Sequence, residues 1–324
     1  MHSLSSWLII CSACTVPIQA VPTAVQINGN NATGLLILSA QTLSQNVSQA
    51  PPDFECEIYN QDQGTPLNPL AMWANAVNAM YEVSGTDMEK VWVDQTFSLS
   101  VYDVDVILTS SGDTPEAEPN LQTRFVAWTI QNVMFNVWHL RLWQNVAGLP
   151  KWRGKDVGIV RFWKKGQDVA RNIVPANTTE LLALSTERNM TATKSSNFAA
   201  GDLEFIYSFE GSAMNSNNIF LATLEGMVQA AEGGLGNRCA EFWVHGFSVV
   251  TFTLNSKKDP SGNPLLQYGQ VRMALQKTVF HMISNRRFGE MGLIIRLDGQ
   301  EIAEGGWKKW APSAAVSGAS NREQ

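Results

Sequence analysis

The sequence has few charged residues for its length. Charged side chains make up 16% of 324 residues, and 23 Lys and Arg against 29 Asp and Glu leave a formal net charge of −6. A protein that binds DNA or RNA ordinarily carries a basic face, so a nucleic-acid partner is not expected. Apolar residues make up 44% of the chain, which indicates a globular protein and excludes a disordered, collagen-like or coiled-coil chain.

Several catalytic and cofactor motifs are missing. The chain has no G-x-S-x-G nucleophile elbow, no G-x-x-x-x-G-K-[ST] loop and no strand-linked G-x-G-x-x-G turn. Serine-hydrolase chemistry and nucleotide cofactors are therefore disfavoured. His139, His245 and His281 stand at no zinc-ligand spacing, and the Cys11 and Cys14 pair lies inside an apolar run. We expect neither a cofactor nor a metal.

The first 20 residues have the form of a secretory signal. His2 precedes an apolar run from Trp7 to Cys14, and small and polar residues lead to Ala20. A membrane anchor needs about 20 apolar residues, so we expect no membrane span. Four N-glycosylation sequons support a secreted protein, or one held in the lumen of the secretory pathway. They begin at Asn31, Asn46, Asn177 and Asn189.

Two cysteines, Cys56 and Cys239, lie beyond this signal. In an oxidising compartment, two cysteines far apart in sequence most simply form a disulfide. Two buried free thiols are the alternative.

The chain also resembles itself. Glu57-Ile58-Tyr59 matches Phe205-Ile206-Tyr207, and each is followed by a helical pattern (70–81 and 219–231) and a long strand pattern (97–108 and 242–254). A helix pattern then recurs at a constant offset of 145 residues, in which Pro119, Leu121, Gln122, Val126, Gln131 and Phe135 match Pro264, Leu266, Gln267, Val271, Gln276 and Phe280. Last, residues 154–161 match 289–296 at an offset of 135.

These matches predict an α+β fold of internally duplicated β-α-β-α-β units packed about a pseudo-two-fold axis. The expected organisation is a signal (1–20), an N-terminal arm (21–52), a first repeat (53–166), a glycosylated linker (167–200), a second repeat (201–310) and a disordered tail (311–324). A cleft between the repeats is a favoured place for a ligand. A monomer and a homodimer are both compatible with this pattern.

Aromatic side chains surround a few polar groups in both repeats. The helix pattern from Leu121 to Trp143 and the strand pattern 242–254 each place aromatic residues and a histidine on one face. Core packing is one interpretation. The functional one is an apolar pocket that holds a hydrophobic small molecule in a reactive geometry and polarises an oxygen. The catalytic candidates are then His139, His245, His281, Arg272 and Arg124, and the substrate-binding candidates are Trp128, Trp243, Phe135, Tyr268 and Gln276.

The signal, the four sequons, the chain length and the Trp-rich stretches VWHLRLW (137–143) and EFWVHGF (241–247) carry a family resemblance. The layout resembles the secreted fungal hetero-Diels-Alderases, which join a tropolone-derived quinone methide to a humulene-type sesquiterpene. The resemblance implies a cofactor-independent cyclase of secondary metabolism that dehydrates a hydroxymethyl tropolone and directs the cycloaddition.

Two other functions are kept as alternatives. One is a non-catalytic secreted binding or effector protein that recognises a lipid, a glycan or a host protein through an apolar site. The other is a glycoside hydrolase, which would need Asp103, Asp105 or Glu241 as a catalytic carboxyl group.

Overall fold

Two antiparallel β-sheets and four α-helices make up the described part of the chain, so the fold is α+β. The computed structural model describes residues 38–39, 50–60, 66–110, 121–167, 202–246 and 249–310. The predicted signal, the four sequons, the tail and nearly all of the linker lie outside these residues. None of the described helices has the length and apolar character needed to cross a membrane.

Sheet 1 contains β1 (Leu38–Ser39), β2 (Phe54–Asn60), β3 (Gln95–Ser98), β4 (Val104–Ser110), β5 (Val146–Trp152), β6 (Lys155–Asp156) and β7 (Gly158–Lys164). Its strand order is β1-β2-β5-β7-β4-β3, with β6 paired to β5. Sheet 2 contains β8 (Leu203–Ala213), β9 (Glu241–Gly246), β10 (Val250–Ser256), β11 (Gly289–Leu297) and β12 (Gln300–Lys309). Its strand order is β8-β11-β12-β10-β9.

The helices lie between the two sheets. They are α1 (Pro69–Ser84), α2 (Thr123–Leu140), α3 (Ser216–Glu232) and α4 (Tyr268–Ser284). The first two pack on sheet 1, the last two pack on sheet 2, and α1 and α2 contact α3 across the middle. A helix enclosed in this way is buried on nearly all sides, and 14 residues of α2 are buried.

Asparagine caps start the first helix of each half. The Asn68 side chain accepts hydrogen bonds from the backbone N–H groups of Leu70 at 2.8 Å and Ala71 at 3.3 Å, with Pro69 in the first turn. Asn215 caps α3 in the same way, through the N–H of Asn217 at 2.9 Å. Each cap satisfies backbone donors that the first turn of a helix leaves unpaired.

Aromatic stacking joins the two halves. The Trp73 ring of α1 stacks on Phe220 of α3, with ring centroids 5.1 Å apart and planes within 4°. The Trp73 indole N–H also donates to Asn217 Oδ1 at 2.9 Å. Both rings are almost completely buried. At this position, side chains fill the interface in which a ligand cleft was expected.

Both sheets have the same strand order when their elements are matched in sequence order. The series β2, α1, β3, β4, α2, β5, β7 occupies the places of β8, α3, β9, β10, α4, β11, β12. The predicted β-α-β-α-β unit was too simple, because the pattern 97–108 includes a turn between β3 and β4 and the pattern 242–254 includes one between β9 and β10. Polar residues such as Ser100 and Asp103 favour the turn between β3 and β4. In the turn between β9 and β10, the N–H of Val249 donates to the Gly246 carbonyl.

The predicted match at an offset of 135 is also wrong, because it pairs β7 with β11. In the sheets, the offset of 145 continues beyond the helices, so β5 corresponds to β11 and β7 to β12. The hairpin turns agree with this register. Arg153 and Gly154 have φ of 52° and 75°, and Asp298 and Gly299 have 52° and 79°, as two-residue hairpin turns with positive φ require.

The predicted disulfide is absent, because Cys56 and Cys239 are both buried free thiols. Cys56 lies on β2 in sheet 1, where burial raises the pKa of its thiol to about 12. Cys239 lies just before β9 in sheet 2, and its thiol donates to the Glu241 carbonyl at 3.3 Å. The two residues therefore lie beside different sheets, although both contribute to the one main core.

Replacing Trp73 should show how strongly the halves depend on each other. We expect Trp73→Ala to lower the free energy of unfolding by about 3–5 kcal/mol, because it leaves a cavity against Phe220. Urea unfolding followed by circular dichroism measures this change. Val101→Ala is the control, since Val101 is 78% exposed, and it should change stability by less than about 0.5 kcal/mol. Equal effects of the two variants would contradict the interlocked core.

Alkylation can test the two thiols directly. Unfolding in denaturant with iodoacetamide and no reductant should label both Cys56 and Cys239, whereas the native protein should label neither, because both thiols are buried. Peptide mass spectrometry reads out the labels. Recovery of the two cysteines as one cross-linked peptide pair would contradict the structure.

Candidate functional site

Sheet 1 has a second buried face, which points away from the helices. Its helix-facing side carries Val104, Val106, Val160 and Phe162 in the main core. The opposite side, here called the outer face of sheet 1, is formed by Tyr59, Asp105, Ile107, Thr109, Ala147, Leu149, Ile159, Arg161 and Trp163. Five of these residues make a separate apolar cluster, with Ile107 packed against it.

Arg161 lies at the centre of this face. Its neighbours across the strands are Ile107 on β4 and Ala147 on β5, and the residue is only 2% exposed. One amino group, Nη1, donates to Thr109 Oγ1 at 2.9 Å, while the other, Nη2, is buried without a hydrogen-bond partner. Burial lowers the pKa of Arg161 to about 10, although Asp94 opposes this shift.

Two more polar atoms on the same face lack a partner. Asp105 and Trp163 face each other across β4 and β7, which places their Cβ atoms about 4.5–5.5 Å apart. The Asp105 Oδ1 and Trp163 Nε1 atoms are both buried and without hydrogen bonds. A buried polar group without a partner costs about 1–3 kcal/mol. Together with Arg161 Nη2, these atoms make three unpaired polar atoms on the neighbouring strands β4 and β7.

A hydrogen-bonded network forms one edge of the face. The Tyr59 hydroxyl donates to Glu57 Oε2 at 2.6 Å, and the Lys151 ammonium group lies 2.6 Å from Glu57 Oε1. Burial acts to raise the pKa of Glu57, but the bonds from Lys151 and Tyr59 outweigh it and lower the pKa. This network fixes the Tyr59 ring beside the apolar residues.

Sheet 2 has no equivalent site. The row Ala147–Arg161–Ile107 of sheet 1 corresponds to Gly292–Gly306–Thr253 in sheet 2, where the same strands pair in the same register. Two adjacent glycines thus replace the side chains that build the site. The buried arginine and its neighbours are therefore a feature of sheet 1 that the corresponding row of sheet 2 lacks.

The three candidate histidines lie apart from this face and from one another. His139 is exposed near the end of α2, with its ring stacked on Phe135 at 5.7 Å. His281 on α4 stacks on Tyr207 at 4.1 Å. His245 on β9 places its Nδ1 atom 2.7 Å from Thr251 Oγ1. The structure does not assemble them into one site.

The two candidate arginines have structural partners. Arg272 is buried between α4 and α1, where it donates to the Tyr81 carbonyl and lies 4.0 Å above the Tyr81 ring. Arg124 forms an ion pair with Glu89 at 2.8 Å and lies 5.6 Å from the Trp152 ring. Neither guanidinium group reaches the outer face of sheet 1.

The five residues expected to bind a substrate are also dispersed. Trp128 and Phe135 are buried in the main core, and Trp128 meets Phe54 edge-on at 5.1 Å. Gln276 is half-buried on α4. Trp243 and Tyr268 are the two that lie together, beside a concavity at the edge of sheet 2.

The carboxyl groups considered for glycoside hydrolysis do not form a pair. Asp105 belongs to sheet 1 and Glu241 to sheet 2, and Asp103 is an exposed residue before β4. Among the described residues, no three or more His, Cys, Asp or Glu side chains are grouped so that they could hold a metal ion.

One feature of the sequence indicated that the outer face of sheet 1 would be buried. Residues 158–164, GIVRFWK, are apolar at nearly every position instead of alternating, and a strand of this kind is covered on both faces. Arg161 lies in the middle of that run, so its burial could have been inferred. No property of the sequence indicated that Asp105 and Trp163 would be its neighbours.

Comparison with known proteins gives no relative. No protein-family model, no curated protein and no solved structure matches the chain.

Replacing Arg161 should show whether its guanidinium group stabilises the fold. We expect Arg161→Met to raise the free energy of unfolding by about 1–3 kcal/mol, because it removes a buried charge whose Nη2 has no partner. Arg296→Met is the control, since Arg296 is a partly exposed arginine in sheet 2, and it should change stability by less than about 0.5 kcal/mol. Urea titration measures both variants. A loss of more than about 2 kcal/mol in Arg161→Met would mean that the guanidinium group mainly supports the fold.

Proposed function

We propose that the protein is a cofactor-independent cyclase of the hetero-Diels-Alderase type, which binds a flat oxygenated substrate on the outer face of sheet 1. The observation that carries this proposal is the set of three buried, unpaired polar atoms on that face. Arg161 Nη2 and Trp163 Nε1 are donors, and Asp105 Oδ1 is an acceptor. A ligand that fits them presents two acceptor lone pairs and one donor.

A tropolone has this arrangement of groups. Its carbonyl oxygen can accept from both Arg161 and Trp163, and the adjacent hydroxyl can donate to Asp105. Ile107, Ile159 and the other apolar residues of the face then provide contact for a hydrocarbon partner. Few polar groups in an apolar surrounding are typical of a small-molecule site.

The proposed reaction has two steps. In the first, Asp105 takes the proton of the tropolone hydroxyl and returns a proton to the departing hydroxyl of the hydroxymethyl group, so one water is lost and a quinone methide forms. In the second, the alkene adds to the quinone methide, and one C–C bond and one C–O bond form without proton transfer. Arg161 stabilises negative charge on the carbonyl oxygen in both steps, and the apolar face holds the reactants together.

A reconstituted reaction tests this function. Purified protein with a hydroxymethyl tropolone and humulenol should form the adduct faster and more selectively than buffer, as measured by chiral liquid chromatography. Arg161→Met and Asp105→Asn should lower kcat by about 100-fold, since removal of one stabilising donor commonly has this effect.

His245→Ala and His139→Ala are the controls, because both histidines lie away from the face, and each should keep nearly full activity. Product formation by the wild type at the buffer rate would reject the cyclase. Tight binding of the tropolone without turnover would support the alternative of a non-catalytic secreted binding protein.

We also propose that the two halves arose by internal duplication and pack about a pseudo-two-fold axis. Support comes from the shared strand order, the paired hairpin turns and the paired asparagine caps. The contacts of α1 with α4 and of α2 with α3 exchange under such an axis. Secretion and glycosylation are proposed on the basis of residues 1–20 and the four sequons alone.

A further inference from the structure

A separate concavity lies in the second half, at the edge of sheet 2 formed by β9. Its volume is about 360 Å³, which falls within the range of small-molecule sites. The end of α3, the edge strand β9 and the first turn of α4 line this open concavity. The lining side chains are Gln229, Glu232, Glu241, Phe242, Trp243 and Tyr268.

The aromatic walls are held in place by packing, and Trp243 is the exposed one among them. The Tyr268 ring lies directly on Gly233, where a Cβ atom would come within 2.7 Å of the ring. Phe242 meets the Tyr268 ring edge-on at 6.5 Å. Trp243 is 56% exposed, although its ring is supported by His245 at 5.0 Å. An arriving ligand would therefore meet aromatic surfaces that are already positioned.

The charge of the concavity is negative. Glu232 and Glu241 lie on opposite elements, and neither forms an ion pair with another described residue. No Lys or Arg is among the lining side chains. Behind Gln229, Glu225 accepts a hydrogen bond from Gln229 Nε2 at 3.2 Å, and burial raises the pKa of Glu225 to about 7. Positive charge in a ligand would be stabilised here, and an anion would be repelled.

We propose that this concavity binds an organic ammonium ion, with its charge between Glu232 and Glu241 and its carbon groups against Trp243 and Tyr268. Aromatic faces attract weakly hydrated ammonium groups through their π electrons, and nearby carboxylates add to the attraction. This site is independent of the outer face of sheet 1 and does not depend on the proposed cyclase function.

Isothermal titration calorimetry with choline tests the proposal. The uncharged isostere 3,3-dimethyl-1-butanol has the same shape, so we expect it to bind at least tenfold more weakly than choline. Trp243→Ala and Glu232→Gln should each weaken choline binding about tenfold.

Two matched variants serve as controls. Trp310→Ala and Glu204→Gln remove an exposed tryptophan and an exposed glutamate of the same half outside the concavity, and both should leave choline binding unchanged. No binding of choline, equal binding of the isostere, or equal effects of Trp243→Ala and Trp310→Ala would overturn the proposal.

Vesicles distinguish the two sources of a choline-type ammonium group. If choline binds and phosphatidylcholine vesicles also retain the protein, through Trp243, the ligand is a lipid headgroup. If choline binds and the same vesicles do not retain it, the ligand is a free small molecule. Both results support the ammonium site, and phosphatidylglycerol vesicles provide the baseline.

Discussion

Both sheets bury one face against the same layer of helices, and the stack of Trp73 on Phe220 lies where the two halves of that layer meet. Because this layer is enclosed on both sides, its helices contain few charged residues, which are Glu82, Arg124, Glu225, Glu232, Arg272 and Lys277. Arg272 illustrates the constraint, since its buried guanidinium group needs the Tyr81 carbonyl and ring as partners. The helical layer therefore fixes how the halves meet and leaves only the outer faces of the sheets free to differ.

The outer faces of the two sheets differ, and the proposed function is based on this difference. Sheet 1 carries a buried arginine with unpaired polar neighbours, whereas sheet 2 has Gly292 and Gly306 in the corresponding row. Unpaired buried groups reduce stability, and three of them lie on the neighbouring strands β4 and β7 of sheet 1. The second half instead has its concavity at the strand edge, where aromatic and acidic side chains are combined.

The sequence predicted the helices well, because apolar periodicity reports burial directly. The pattern 70–81 lies within α1, and the offset of 145 matches α2 to α4. The long strand patterns were less informative. Each pattern spans two strands, and the turn between them is too short to change the composition clearly. The disulfide was wrong because the separation of Cys56 and Cys239 in the sequence carries no information on whether their thiols meet, and both thiols are free. The histidines were predicted as catalytic residues because of their residue type. The outer-face site depends instead on the register of β4 with β7, which the sequence does not reveal.

Each half is continuous in sequence, from Phe54 to Lys164 and from Leu203 to Lys309, and this has a consequence for synthesis. The first half can form its sheet and helices while the second is still on the ribosome. During that interval Trp73 has no Phe220 to cover it, so a broad apolar helix surface stays open to water. Such surfaces promote aggregation of folding intermediates. The nascent chain therefore passes through a stage that favours chaperone binding, which ends when α3 docks.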